Sequence, residues 1–348
     1  MSTNELEVAR LFLERLGIHP EELLNPTTAD AGIPTFDEYV PRVTAAVSHG
    51  TRRTYIPYWR HIAERWPDRR LNEPSALELQ TLVEETRHNA VVRRNSRDGR
   101  SAAEHMVGAL RCMYRFAAND GFVSASYNSS LHINKPRRLP STRRALSPRQ
   151  LAQINHVTTT TGNDPDLDTL LLRLHLETAC RTGSALALRP EDLDTEQCLI
   201  RLHGKGGTVH WQPVSPTLMN RLSTHSERSP DPGEQLLRYR NRRRITRRRY
   251  DYIWQRIGRE LPWVATQQIS THWLRHTTLT WVERNFNYAI ARAFAAHAEP
   301  TGQDGATLIY TRATTEEVAM ALSILTGEQH PLASLDHQKT PLTLFPPT

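Results

Sequence analysis

"THWLRHTT", residues 271–278, sets His272, Arg275 and His276 within five positions of an otherwise apolar stretch. Positions three and four apart share one face of a helix. Three basic groups side by side repel one another unless something complementary sits among them. Two occupants meet that condition: a metal ion held by His272 and His276, or an anion such as a phosphate gripped by His272 and Arg275. The histidine pair has the i, i+4 spacing of a zinc helix. However, Trp273 stands where a general-base glutamate would follow the first histidine, and no nearby cysteine, aspartate or glutamate supplies a third ligand.

Outward from this octapeptide, the charge of the chain favours the anion. Net charge is +7 over 348 residues. Residues 1–40 hold eight acidic and two basic side chains, so the remainder is more basic still, at +13. A basic body implies a polyanionic partner. Lysine is rare, only Lys135, Lys205 and Lys339, so nearly all the positive charge is arginine. No apolar run is long enough to span a bilayer and the first residues are acidic, so neither a membrane segment nor a signal peptide is expected. Cys112, Cys180 and Cys198 show no paired spacing, which fits a reducing compartment. A cytoplasmic, nucleoid-associated protein is the expectation.

The length suggests two domains. From Thr35 to about Tyr127 the periodicity is helical. "GTRRTYIPYWRHIAERW" begins a helix behind Gly50 and Thr51. Capping boxes open two more, Ser75 to Glu78 and Ser101 to Glu104, the latter helix stopping at Gly121. Four such helices make a compact bundle. "NKPRRLPSTRRALSPRQL" (134–151) breaks the pattern with prolines and arginines, as a basic linker does, until Ser147-Pro148 starts a helix. "DLDTLLLRLHLETACR" puts Leu167, Leu170, Leu171, Leu174 and Thr178 on one face and ends at Arg181. "CLIRLHGKGGTVHWQPV" (198–214) reads as a hairpin turning at Gly204-Lys205-Gly206-Gly207. Helices then continue to about Leu325, with Gly327 as a stop. In "RYRNRRRITRRRY" (238–250) eight arginines run without an acid, and Thr246 can cap the helix that follows.

In chain order, then, come Arg181, Lys205, His272 with Arg275, His297 in "ARAFAAHAEP", and Tyr310 in "ATLIYTRAT". This order of Arg, Lys, His-x-x-Arg, His, Tyr resembles the tyrosine recombinases, the phage integrase family, over about residues 37–325. Two positions depart from the family pattern: Ala179 stands where glycine is usual and Ser184 where glutamate is usual. The interval from His297 to Tyr310 is longer than usual through "EPTGQDG".

The resemblance implies a mainly α protein: a SAM-like helical core-binding bundle, then a mostly helical catalytic domain with a small antiparallel β-sheet. The divisions expected are an acidic extension at 1–36, the DNA-binding bundle at 37–133, a linker at 134–147, the catalytic domain at 148–326 and a tail at 327–348. It implies a site-specific recombinase or integrase acting on double-stranded DNA, as a homo-oligomer of four on paired sites, with no cofactor and no metal. The alternatives are a catalytically decayed DNA-binding relative and a monomeric relaxase like the type IB topoisomerases.

In this scheme Arg181 and Arg275 hold the non-bridging phosphate oxygens. His272 and His297 add hydrogen bonds, and His272 can accept a proton. Tyr310 is the nucleophile, Lys205 the acid for the leaving oxygen, and His276 a supporting group behind the site. Helix 315–325 is expected to dock on a neighbouring protomer. Arg52, Arg53, Arg93, Arg94, Arg137, Arg138, Arg143, Arg144, Arg242, Arg243, Arg244 and Arg247 are the expected phosphate-backbone contacts.

Overall fold

The computed structural model describes residues 12, 32–91, 98–124, 128–137, 143–204, 207–295 and 313–333. The acidic extension expected at 1–36 lies largely outside them, and so do Arg93, Arg94, Arg138, Lys205, His297 and Tyr310. The chain divides into two compact units, 1–140 and 141–348.

The first unit is built on α1 (Phe36–Ala46), α2 (His49–Arg65), α3 (Ala76–His88) and α4 (Arg100–Asn119). Each starts where the chemistry of its cap dictates. Thr35 and Glu38 form a reciprocal capping box on α1, and Ser75 and Glu78 form the expected one on α3. Ser48 caps α2, which therefore begins before Gly50 and Thr51 rather than behind them. The box expected from Ser101 to Glu104 does not form. Gly99 is the cap of α4 instead, at φ +72°, where a Cβ would strike the Arg87 carbonyl oxygen. Only glycine fits there. Phe36, Tyr39, Trp59, Leu82, Met106 and Leu110 fill the core, so the bundle takes in Phe36, one residue before the expected boundary. The Trp59 indole donates to the Ala109 carbonyl (3.0 Å), which satisfies its one polar atom inside that core.

The second unit opens with α5 (Pro148–Thr160), capped by Ser147 and Gln150, then α6 (Pro165–Thr178). The five positions expected on the buried face of α6 are all buried, but so are Leu172, His175 and Glu177, so the helix is enclosed on more than one side. It ends three residues early. Ala179 takes the left-handed conformation (φ +49°), and Arg181 does not close α6 but heads the next helix, α7 (Thr182–Ala187). A three-stranded antiparallel sheet follows: β1 (Leu193–Asp194), β2 (Leu199–His203) and β3 (Val209–Pro213), in that order. The hairpin register pairs Arg201 with Trp211 and Leu202 with His210. Strand β1, two residues long, is too short to leave a periodic signal.

Helices α8 (Pro216–Ser226), α9 (Arg247–Glu260), α10 (Pro262–Thr266), α11 (Thr271–Asn285), α12 (Tyr288–Phe294) and α13 (Thr315–Thr326) complete the unit. Thr246 caps α9, and Gly327 ends α13 at φ +72°. Helix α13, the segment expected to dock on a neighbour, packs one face on its own chain and leaves Ile324 57% exposed. Its Val318, Ala321 and Leu322 are buried in a cluster with Ala179, Val282, Ile290 and Phe294 of the same chain. Pulling out Val318 and Leu322 alone would cost roughly 3–6 kcal/mol. Just beyond the helix, Glu328 pairs with Arg173 of α6 at 2.5 Å, which fastens it further. Among the described residues no helix is long and apolar enough to cross a membrane.

Candidate active site

The site grows from the turn that joins α6 to α7. Thr178 is the last residue of α6, and its hydroxyl accepts from the Cys180 N–H (3.2 Å). His175, one turn back and wholly buried, meets the Cys180 carbonyl through Nδ1 (3.1 Å) and the Tyr250 hydroxyl through Nε2 (3.0 Å). A carbonyl can only accept, so Nδ1 carries the proton and Nε2 accepts from tyrosine. Burial pushes the His175 pKa down to about 4, which keeps the ring neutral and the tautomer single. The same burial pushes the Cys180 thiol up to about 11, so it is no nucleophile near neutral pH. Tyr250 and His175 thus brace the peptide that leads directly into Arg181.

The "THWLRHTT" segment forms the first two turns of α11. Trp273, Leu274, Thr277 and Thr278 face inward. Thr277 Oγ1 accepts from the Leu146 N–H (2.9 Å) and Thr278 Oγ1 donates to the Leu176 carbonyl (2.6 Å), which fixes the rotation of the helix. Arg275 is only 6% exposed. Its Nη1 donates to the Ala179 carbonyl and its Nη2 to the Ala295 carbonyl (2.7 Å), so one guanidinium ties the α6–α7 turn to the end of α12. Burial first, and then Arg181, pull its pKa down to about 10. It remains charged at pH 7.

His272 stands one turn earlier on the open side of α11. Its pKa is held below the ordinary 6.5 by loss of water and then by Arg143, Arg275, His276 and Arg181. Each of these is near enough to be felt. The structure therefore brings together Arg181, His272 and Arg275, and adds Arg143 from the expected DNA-contact set. His276 lies beside them and lines the same cleft as His272 and Arg275, its Nδ1 3.3 Å from Thr280 Oγ1. Two clefts meet at Arg275 and Ala295. One, of about 320 Å³, is lined by His272, His276, Tyr288 and Arg292. The other, much narrower, is lined by Arg181, Ser184, Gly204 and His210. Among the described residues no three histidine, cysteine or carboxylate side chains gather as a metal site requires.

Sequence reasoning passed over His210, His175 and Tyr250. The alternation of β3 could have shown the first, since Val209 and Trp211 point to solvent and His210 to the opposite face. Nothing local in the sequence marks the other two.

The other predicted contacts are scattered. Arg53, Arg137, Arg144, Arg242, Arg243, Arg244 and Arg247 are exposed, and Arg52 and Arg143 half-buried. The arginine run is not free of acids, as its sequence suggested. Arg238 and Arg244 share Glu234, Arg240 reaches Asp164 (3.4 Å), and Arg249 holds Asp168 at 2.6 Å. Glu234 stands just upstream of the run, whereas Asp164 and Asp168 come from distant positions that only the fold brings near.

Comparison with known proteins agrees with this arrangement. The family model described as "Phage integrase family" matches residues 144–317, half of the chain. Among curated proteins, tyrosine recombinase XerC of Chlamydia caviae is 28% identical over 240 residues, 65% of this chain and 70% of that one. The XerC of Roseiflexus castenholzii is 25% identical over 194 residues, 53% and 60% of the two chains. Among solved structures, a lambda integrase dimer bound to a COC' core site aligns with TM-score 0.59 at 14% identity, covering 88% of this chain and 85% of that one. A Tn1549 transposon integrase with circular intermediate DNA aligns with TM-score 0.59 at 13% identity, covering 80% and 95%. The chain belongs to the phage integrase family. The activity class that goes with the family is tyrosine-type cleavage and joining of DNA strands.

Proposed function

We propose that the protein is a site-specific recombinase or integrase that cuts and rejoins DNA through a 3′-phosphotyrosine intermediate, without metal or ATP. The observation that carries the reading is the convergence of Arg181, His272 and Arg275 on one place. Arg275 is buried there on neutral carbonyls, with the charge of Arg181 close enough to lower its pKa. A phosphodiester offers negative oxygens that such a cluster of cationic donors can hold.

In the reaction the Tyr310 oxygen attacks phosphorus, and the bond from phosphorus to the 5′ oxygen breaks. The nucleotide bearing the 3′ phosphate stays on tyrosine and the other strand end leaves as a 5′-hydroxyl. His272, neutral at pH 7 because of its lowered pKa, takes the phenolic proton, and Lys205 gives one to the leaving oxygen. Arg181 and Arg275 meet the charge that grows on the non-bridging oxygens, the task a metal performs in other phosphoryl-transfer enzymes. His297 completes the set. The ester keeps the bond energy, so the reverse attack by a 5′-hydroxyl reseals the strand. The substrate is double-stranded DNA, bound by arginines of both units. The working form is a homo-oligomer, four protomers on two paired sites; the solved relatives of this fold include a lambda integrase tetramer on a Holliday junction.

The test is a nicked suicide substrate, in which the strand beyond the cut diffuses away and the adduct accumulates. Wild-type protein should form a covalent adduct in excess chelator, and Tyr310→Phe should bind DNA equally and form none. An adduct of unchanged yield from Tyr310→Phe would move the nucleophile elsewhere, and Tyr288, exposed in the wider cleft, would be examined next. Loss of cleavage in chelator that zinc restores would overturn the metal-free reading.

A further inference from the structure

The narrow cleft holds a side chain that the proposed chemistry has not used. His210 sits on β3 between Val209 and Trp211, which are 53% and 45% exposed. Alternation turns His210 the other way, into the cleft lined by Arg181, Ser184, Gly204 and Arg275. None of the described residues lining that cleft is acidic. Its free space is about 10 Å³, what a single water or one phosphate oxygen needs.

The other sheltered histidines of this unit are engaged. His175 meets Cys180 and Tyr250, His203 meets Asp192, His225 accepts from the Arg238 N–H, and His330 meets the Cys198 carbonyl. The His210 ring makes no hydrogen bond to a described residue. The half-buried ring is thus free to donate to an incoming acceptor.

Resting on the function proposed above, we infer that His210 is a further catalytic residue, donating a hydrogen bond from the sheet to one non-bridging oxygen of the scissile phosphate. The chemistry fits the place. Partial burial, then Arg275 and Arg181, hold its pKa below the ordinary 6.5, so the free enzyme presents a neutral ring. A neutral imidazole adds a donor between two arginines without adding a third charge to repel them. Ser184, buried on the same cleft where the family usually has glutamate, leaves no carboxylate there to compete for that donor.

The experiment is single-turnover cleavage of the suicide substrate by the full chain, with the scissile phosphate or either stereoisomer of a methylphosphonate in its place. Each stereoisomer lacks one of the two non-bridging oxygens. On ordinary DNA His210→Ala should slow cleavage roughly 10- to 100-fold, less than the ~10²–10³ of a lone oxyanion donor because two arginines remain. His210→Gln, which keeps an N–H donor, should stay within a few-fold of wild type. On the stereoisomer lacking the oxygen that His210 contacts, the difference between wild type and His210→Ala should vanish, and on the other it should persist. An equal penalty on all three substrates would make His210 a structural residue and overturn the inference, as would no penalty at all. Thermal melting of both variants separates a folding defect from a chemical one. Failure of wild type itself to form an adduct would instead remove the underlying reading.

Discussion

Arg275 and Arg249 are both buried arginines of the second unit, 6% and 3% exposed, yet they are held by different chemistry. Arg275 donates to the peptide carbonyls of Ala179 and Ala295. Arg249 lies against the Asp168 carboxylate at 2.6 Å, with Asn163 and the Asp164 carbonyl beside it. Carbonyls orient a guanidinium and leave its charge intact, whereas a carboxylate cancels it. Burial draws the Arg275 pKa down to about 10 even though two carbonyls accept from it. On the function proposed above, that charge meets the scissile phosphate. The arginine run at 238–249, with its carboxylate partners, is in large part architecture.

The strongest way to break that contrast is to remove each residue in turn. Arg275→Ala should lower single-turnover cleavage by roughly 10³-fold. Arg249→Ala should leave the rate per folded molecule near wild type. It should instead cost about 3–5 kcal/mol of stability, because Asp168 loses a buried partner. Denaturant titration and suicide-substrate kinetics on both variants decide the matter. Parallel losses in both assays would erase the distinction.

The next effect is on stability against pH. His175 is neutral and buried with a pKa of about 4, against 6.5 in an unfolded chain. Above pH 6.5 it is neutral in both states and its contribution is complete. As pH falls from 6.5 to about 4 only the unfolded chain takes up the proton, so stability drops by up to ~3 kcal/mol and then levels. His175→Gln should flatten the melting temperature over that window. His225, also pushed to about 4, keeps part of the slope in place. An unchanged slope in the variant would mean that His175 is not the protonation-sensitive brace of the Arg181 turn.

Smaller still is the DNA effect of the exposed arginines. Neutralising Arg242, Arg243 and Arg244 together should weaken binding to all sequences alike and reduce the salt slope by about 2 rather than 3, since Glu234 already compensates Arg244. A slope change near 3 would mean that Arg244 leaves Glu234 for phosphate, and a sequence-specific loss would mean base reading. The smallest expected change is Ala179→Gly. Ala179 holds φ +49°, a conformation that costs a non-glycine residue about 1 kcal/mol, so the glycine variant should melt higher by that much and cleave as wild type does. A lower melting point would show that the packed methyl outweighs the backbone strain.

These cases also show what could be read without coordinates. Helices with their own caps were legible: Ser75 with Glu78, Ser147 before Pro148, and Thr246 each stand at a start the structure uses. Ser101 with Glu104 had the same signature and failed, because the left-handed Gly99 against Arg87 is a tertiary constraint. The pairing of His272 with Arg275 followed from spacing, and Arg181 joined them only through the order of residues along the chain. Its true place, at the head of α7, rests on a turn braced by Tyr250 from 69 positions away. The carboxylates that occupy the arginine run were hidden for the same reason, since Asp164 and Asp168 meet it only once α6 and α9 have packed. Local rules cannot see a partner that distance in the chain conceals.

The double tether of Arg275 has a practical consequence for anyone who wants to trap this enzyme on DNA. A guanidinium that clamps two segments of backbone, and is proposed to hold the phosphate as well, cannot be retired quietly. Even lysine at 275, with its single point of attachment, would leave one of the two carbonyls unserved and the turn before Arg181 loosened. An inactive protein made at this position would report on a slackened pocket as much as on absent chemistry. For crystallography or single-molecule work the substitution to try first is on the proposed nucleophile, Tyr310, which is neither of the two residues whose carbonyls hold the Arg275 guanidinium.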